Sequence, residues 1–390
     1  MKRTVRQASA VILLVFISLL ALQPNDAAAQ TMFLKPKKSD ELRHQNILIM
    51  TVRSGQHALF MSELQIESRE INAALRQSKH VPATEIDFYP DIDITMQSTE
   101  AIHFRLERSG QLWNEAKAEK TILPDKLAKK LVGLAEGLRT QHYGKLLSWQ
   151  QATGLLPKKS MFSVTELETG LTFNVQRRAG SDHADVQPLM KEDSRIMKQI
   201  YNGKWSWKRK AVLIHSGDTW IAASMNGMPH GGDGIPENGF SGHFCIHFLG
   251  SSTHKSDSPD PAHQMMVHKA AGQIKPYFES AQPNVLARSF VEAMYHQDHE
   301  LLLPLAEQMP KEKLASFLNV MESLVSIREQ IPPKSKGMAR SDELGDALTT
   351  EIRLPVSIHQ LNKPRQNVVY TFMFKRESVQ SPWHILDIIK

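Results

Sequence analysis

The chain has 390 residues, a formal net charge of +6 and a single cysteine. This length suits two or three domains of ordinary size, and one cysteine excludes an intrachain disulfide. The Lys and Arg residues form no cluster with interleaved aromatic side chains, which argues against a nucleic-acid-binding protein.

Residues 1–29 have the layout of a secretory signal peptide. Basic residues near the start are followed by an apolar run over residues 8–22 and by small residues before Gln30. The apolar run is short for a membrane span. We therefore predict an exported protein, periplasmic or associated with the cell wall, with no transmembrane segment after cleavage. Its mildly basic balance would favour contact with anionic cell-wall polymers, although charge spread over a long chain is more often simply solvated.

Proline, glycine and serine residues near positions 150–160 and 273–284 predict three regions after the signal peptide. We expect an α+β multidomain protein. It would consist of a small α+β accessory domain over residues 31–150, a β-rich domain over residues 160–275 and an α+β domain over residues 284–390.

The first region shows no pattern that is typical of chemistry. An apolar run over residues 47–52 predicts a buried strand, and leucines at helical spacing after Pro124 predict an amphipathic helix. We assign this region to contact with the cell wall or a partner, or to plain support of its neighbour.

The middle region is built of predicted hairpins. Apolar runs separated by turn residues predict one hairpin over residues 162–175 and another over residues 211–225. Trp205 and Trp207 alternate with polar residues, so one face of this segment could stack on a sugar or a peptide. Such pairs are also common in protein cores.

Other histidines of this region could belong to a functional site or have a purely structural role. His183 and Asp185 could bind a metal or position a catalytic histidine, although short Asp/His loops more often cap turns. Pro261 predicts the start of a helix, and we expect His263 on the surface of that helix. His254, in the polar loop before it, is a further candidate for lining a pocket.

The last region combines helices with a strand meander. Apolar residues at helical spacing occur at 286–294 and around 314–327, and alternating runs follow over residues 348–358, 368–374 and 383–389. This layout resembles an NTF2-like cone, which has no fixed function, so a binding or supporting role is expected.

The one cysteine lies in the segment of the chain that is richest in chemically reactive side chains. Cys245 is flanked by His243 and His247 and follows a glycine-rich loop that begins after His230. A thiol attacks a carbonyl group only as a thiolate, which needs an imidazole or a positive group beside it. If residues 244–248 form a strand, the three phenylalanine and isoleucine side chains face one side and Cys245 faces the other.

This segment resembles the catalytic motif of L,D-transpeptidases. Members of that family have a His-Gly pair followed, after a loop, by a Ser/Thr-His-Gly-Cys element. His230-Gly231 resembles the first part, and residues 242–247 resemble the second with the same His-x-Cys spacing. The resemblance covers about residues 161–272.

The segment also departs from the family pattern. Gly242 stands in the Ser/Thr position with Ser241 before it, Phe244 replaces the glycine before the nucleophile, and His247 replaces Arg or Asn. If the position of Phe244 required a positive φ, the phenylalanine would be strained there.

The resemblance implies a role for each matching residue. Cys245 would be the nucleophile, His230 the general base, and the Gly231 carbonyl would orient the His230 ring while His243 lines the site. The implied substrates are peptidoglycan stem peptides, with no metal and no cofactor. Residues expected to contact the substrate are His247, Phe244, Ser241, Trp205 and Trp207.

Two other functions fit the residues. A zinc-dependent cell-wall peptidase or amidase would use His183, Asp185, His243 and His247 as ligands, with Cys245 able to join them. A non-catalytic wall-associated protein on a decayed transpeptidase scaffold would bind the wall without using Cys245.

Overall fold

The computed structural model describes residues 47–82, 87–98, 100–232, 234–253, 256–330 and 345–390. The predicted signal peptide and His254 lie outside these ranges. The described residues form helices and several sheets, which confirms the mixed α+β class expected from the sequence. They divide into two compact units: the residues before Ser54 with Phe60–His142, and Ser54–Leu59 with Tyr143–Lys390.

The first unit is an antiparallel sheet with helices. Its strands are β1 (Ile47–Arg53), β2 (Met61–Ile66), β3 (Lys79–Pro82), β4 (Phe88–Gln97), β5 (Ile102–Glu107), β6 (Leu112–Asn114) and β7 (Glu119–Ile122), in the order β2-β1-β4-β5-β6-β7-β3. Helix α1 (Arg69–Gln77) begins at Ser68, whose hydroxyl accepts a hydrogen bond from the Ile71 N–H. Helix α2 (Asp125–His142) buries Leu127, Leu131 and Leu138, as their spacing predicts.

The second unit contains a closed antiparallel barrel. Its strands are β8 (Met161–Glu166), β9 (Thr172–Ala179), β10 (Ala184–Pro188), β11 (Lys210–Ser216), β12 (Thr219–Met225) and β13 (Phe244–His247). The order around the barrel is β10-β13-β12-β11-β8-β9, so β13 lies between β10 and β12. The two predicted hairpins are present as β8 with β9 and β11 with β12.

Helices and a short strand pair surround the barrel. They are α3 (Trp149–Leu155), α4 (Lys191–Ile200), β14 (Ser252–Thr253), β15 (Ser256–Pro259) and α5 (Pro261–Ala270). Asp260 caps the N-terminus of helix α5, because its carboxylate accepts a hydrogen bond from the Ala262 N–H at 2.8 Å. It packs across β11 and β12 and buries His263, so the prediction that His263 lies on the surface is wrong.

The C-terminal part of the second unit has helices followed by an antiparallel sheet. The helices are α6 (Ile274–Ser280), α7 (Pro283–His296), α8 (His299–Leu305) and α9 (Lys311–Glu322), and the strands, in sheet order, are β16 (Leu324–Glu329), β17 (Thr349–Gln360), β18 (Gln366–Lys375) and β19 (His384–Ile389). The predicted helix around residues 314–327 ends earlier, because the residues from Leu324 onward pair with β17. Within the described ranges, every helix is too short or too polar to cross a membrane.

Candidate active site

Strand β13 separates apolar from reactive side chains. Phe244 and Ile246 lie in the barrel core together with Phe248, which follows the strand. Cys245 points to the opposite side, where the antiparallel register pairs it with Asp185 of β10. The alternation predicted from the sequence is therefore present, and it places the thiol on the outer surface of the barrel wall.

The two ends of the glycine loop (residues 231–242) are held together by backbone hydrogen bonds. The N–H of His230 donates to the carbonyl of His243 at 3.0 Å, and the N–H of His243 donates to the carbonyl of His230 at 2.8 Å. Gly231 and Gly242 have φ values of +73° and +87°. A Cβ on Gly242 would lie 2.3 Å from the His230 carbonyl oxygen, so this position requires glycine.

The loop closure brings His230 against Cys245. Nε2 of His230 lies 3.2 Å from Sγ of Cys245, and Nδ1 of His230 lies 2.8 Å from the carbonyl oxygen of Met228. A carbonyl oxygen only accepts hydrogen bonds, so Nδ1 carries the proton and a neutral His230 ring turns the lone pair of Nε2 towards the sulfur. The carbonyl that orients the ring is that of Met228. The orienting role implied for Gly231 is thus wrong.

The environment of Cys245 keeps its thiol protonated. The side chain is only 5% exposed. Burial, together with the charge of Asp185, raises the pKa of Cys245 to about 12, while a hydrogen bond from the Asn226 side chain acts in the opposite direction. A stable thiolate is therefore disfavoured, and Nε2 of His230, 3.2 Å from the sulfur, lies where it could accept the thiol proton.

A buried carboxylate lies next to the thiol. Oδ1 of Asp185 is 3.9 Å from Sγ of Cys245, 3.2 Å from Nε2 of His183 and 3.7 Å from Nε2 of His243. His183 and Asp185 are therefore neighbours of Cys245, although a turn-capping role was the favoured interpretation of their sequence. The usable signal was the His-x-Asp spacing, which puts two side chains on one face where the backbone is extended; Asp185 lies in β10 and His183 directly precedes that strand.

Three buried imidazoles lie in a row beside this carboxylate. The ring centroid of His247 lies 4.4 Å from that of His183 and 3.7 Å from that of His263. His247 is buried, and its Nδ1 lies 3.1 Å from the hydroxyl oxygen of Ser251. The predicted contact of His247 with substrate is therefore wrong, because α5 covers this side of β13.

The other residues predicted to contact substrate differ in their exposure. Phe244 is fully buried against Phe173 and Phe240, so it does not face the substrate, and its φ is not positive, so the expected strain is absent. Trp205 packs edge-on against Phe240 beside the core. Trp207 is 44% exposed, and its ring centroid lies 5.2 Å from that of His230. Ser241 is exposed in the glycine loop.

Polar residues outside the motif hold the glycine loop on the barrel. Oε1 of Gln187 accepts a hydrogen bond from the Ile235 N–H at 2.5 Å. The amide of Asn238 donates to the Pro188 carbonyl at 2.8 Å, and the hydroxyl of Ser194 donates to the Asn238 carbonyl at 2.6 Å. Sequence reasoning missed these residues, because nothing local indicates that they meet.

Two groups of side chains in the described ranges have ligand atoms close enough together to hold a metal ion. One contains His183, Cys245 and His247, and the other contains His230, His243 and Cys245; within each group the ligand atoms lie within 4.8 Å of one another. Neither group contains both His243 and His247. These two residues, expected together as ligands of a zinc peptidase, therefore lie on different sides of Cys245.

Comparisons with known proteins identify no relative. Models of known protein families give no match to the chain. Neither a curated protein nor a solved structure matches it. The functional conclusion therefore depends on the geometry of the site.

Proposed function

We propose that this protein is an exported cysteine acyltransferase that resembles L,D-transpeptidases and exchanges peptide bonds in peptidoglycan stem peptides. The observation that carries the proposal is the 3.2 Å contact between Sγ of Cys245 and Nε2 of His230, two residues 15 positions apart. Because Nδ1 of His230 is held on the Met228 carbonyl, a neutral His230 has its basic nitrogen directed at the thiol.

The reaction uses His230 twice. Nε2 accepts the thiol proton while the sulfur electron pair forms a bond to the substrate carbonyl carbon. The tetrahedral intermediate then collapses, the C–N bond breaks, and the leaving amine takes the proton from Nε2, which leaves a thioester on Cys245. A second amine, deprotonated by the same nitrogen, attacks the thioester and releases the thiol.

Asn226 favours the charged states of this reaction. Its side chain hydrogen-bonds to Cys245 and lowers the pKa of the thiol against the larger effects of burial and Asp185. Its Oδ1 accepts a hydrogen bond from the Met228 N–H at 3.4 Å, and its backbone N–H donates to the Cys245 carbonyl. Asn226 thus links the nucleophile to the residue whose carbonyl orients His230.

The substrate class follows from the expected location and the chemistry. An exported enzyme has no ATP available, so forming a new cross-link by exchanging one peptide bond for another requires no external energy source. In this proposal residues 160–275 form the L,D-transpeptidase-like domain, and residues 284–390 form an NTF2-like domain that binds or supports. The exposed ring of Trp207 beside His230 offers a surface on which a sugar or peptide could stack.

The proposal is tested with Cys245→Ala in the full chain. Wild-type protein is expected to form a thioester adduct with a carbapenem and to exchange an acceptor amine into a peptidoglycan stem peptide, both followed by mass spectrometry. Cys245→Ala should do neither, while its circular dichroism spectrum and thermal unfolding stay close to those of the wild type.

The matched control changes a histidine elsewhere on the barrel. His215 lies on β11, where it stacks on Trp220. His215→Asn should retain thioester formation. Exchange that persists in Cys245→Ala would reject the assignment, and a thiol of ordinary, unassisted reactivity in the wild type would favour the non-catalytic, wall-associated alternative.

A zinc hydrolase is the second candidate, and the partly exposed group His230, His243 and Cys245 favours it. Three protein ligands and one open position are typical of catalytic zinc. The two functions respond oppositely to a chelator: a zinc hydrolase loses activity, whereas the proposed acyltransferase keeps it.

A further inference from the structure

Four side chains of metal-ligand type form a two-by-two arrangement across two paired strands. Asp185 of β10 lies opposite Cys245 of β13. His183, which directly precedes β10, meets His247 at the end of β13, and their ring centroids lie 4.4 Å apart. Cys245 and His247 are two positions apart on β13 and share a face. His183 contacts Asp185 and stacks on His247, so all four side chains lie on the same side of the barrel wall.

The donor atoms of this arrangement are close enough for one ion. The ligand atoms of His183, Cys245 and His247 lie within 4.8 Å of one another. Oδ1 of Asp185 lies 3.2 Å from Nε2 of His183 and 3.9 Å from Sγ of Cys245. Two imidazoles, a thiolate and a carboxylate are ligands that Zn²⁺ takes in four-coordinate sites.

Both imidazoles are also oriented as ligating histidines usually are. Nδ1 of His183 lies 2.8 Å from the carbonyl oxygen of Ser252, and Nδ1 of His247 lies 3.1 Å from the hydroxyl oxygen of Ser251. A hydrogen bond at one ring nitrogen fixes the ring and makes the other nitrogen the ligand. Two adjacent residues, Ser251 and Ser252, provide this support.

We propose that His183, Cys245 and His247, with Asp185 as the fourth ligand, bind one Zn²⁺ ion that blocks Cys245. On binding, the thiol proton leaves to solvent and the sulfur lone pair is donated to the metal, with no change of oxidation state. The thiolate then no longer attacks a carbonyl group. The inhibitory consequence rests on the proposed function, but the binding itself does not.

The test begins with metal-free, full-length wild-type protein. It is titrated with Co²⁺, which reports thiolate ligation by a sulfur-to-metal charge-transfer absorption band. We expect one equivalent to bind with this band and Zn²⁺ to displace it. Alkylation of Cys245 with iodoacetamide before the titration should abolish the band, and this arm requires no variant.

Variants then locate the ion. His183→Asn should weaken metal binding by at least the roughly 10- to 100-fold that loss of an outer-shell partner causes. His215→Asn is the matched control and should bind as the wild type does. His230→Asn should keep the band. In the wild type, Zn²⁺ should slow thioester formation, and in His183→Asn the same Zn²⁺ concentration should slow it less.

Any of three results would overturn the proposal. Co²⁺ does not bind stoichiometrically, the charge-transfer band survives alkylation of Cys245, or the band is lost in His230→Asn and kept in His183→Asn. The proposed function fails separately: metal-free protein that forms no thioester, yet binds Zn²⁺ at these residues, would reject acyl transfer and leave the site in place.

Discussion

The two sides of Cys245 differ in what they do to the thiol. On one side, His230 and His243 are partly exposed, and Nε2 of His230 faces the sulfur at 3.2 Å. On the other side, His183, Asp185 and His247 are buried, and Asp185 opposes ionisation of the thiol. The resting thiol is therefore neutral, and in the proposed reaction its ionisation depends on His230, on the partly exposed side.

Removing the base should have the largest effect. His230→Asn keeps a polar side chain but cannot accept the thiol proton, so we expect the rate of thioester formation to fall about 10²- to 10⁴-fold. Stopped-flow or quenched mass spectrometry with a carbapenem measures this rate. His243→Asn, on the same exposed side, should lose less, and an equal loss in both variants would show that His230 is not the base.

The loop closure that positions His230 can be broken by one methyl group. Gly242→Ala adds a Cβ 2.3 Å from the His230 carbonyl at a φ of +87°, so we expect a loss of unfolding free energy above the roughly 1–2 kcal/mol of the left-handed conformation alone. Gly250→Ala is the matched control, because Gly250 has a φ of +72° with open space around its Cβ position. Chemical denaturation compares them, and equal losses would contradict the close contact.

Removing the negative charge of Asp185 should make the Cys245 thiol more acidic. Asp185 raises the pKa of Cys245, so Asp185→Asn lowers that pKa and increases the thiolate fraction at any pH below it. We expect faster alkylation by iodoacetamide at pH 8 with a chelator present, about tenfold for each unit by which the pKa falls. Asp218→Asn, in the exposed turn between β11 and β12, should change nothing. Unchanged or slower alkylation of Asp185→Asn would refute this electrostatic role.

The smallest effect is expected at the exposed aromatic ring. Trp207→Ala removes a stacking surface worth roughly 0.5–1.5 kcal/mol, which corresponds to a rise in KM of about 2- to 12-fold with kcat unchanged. Trp220→Ala, a partly exposed tryptophan that stacks on His215, is the control. A fall in kcat at constant KM would show that Trp207 acts on His230 and not on substrate.

The sequence predicted those parts of the site that depend on local pattern. Side-chain period predicts the alternation from residue 244 to residue 248. Turn residues predict the hairpins that begin with β8 and β11, and Pro261 predicts the start of α5. The neighbourhood of Cys245 and His230 came from the resemblance, and the structure places the two side chains in contact.

The parts that sequence reasoning missed depend on long-range packing. Asp185 reaches Cys245 across 60 residues through the pairing of β10 with β13, a register that no local signal specifies. His247 and His263 are buried because α5 covers the barrel wall, although polar residues in a short segment usually indicate exposure. The expected substrate contact of Phe244 is a different kind of error, because the alternation that puts Cys245 on the outer face already puts Phe244 in the core.

Two backbone hydrogen bonds between His230 and His243 hold the two ends of the glycine loop together. Because these bonds fix both ends of the loop, the distance between the Cys245 sulfur and the His230 ring does not depend on the length or composition of the segment between them. Lengthening a closed loop also costs little free energy. Under the proposed function, other loops grafted between Gly231 and Gly242 are expected to change the selectivity for acyl donors while Sγ of Cys245 stays in contact with Nε2 of His230.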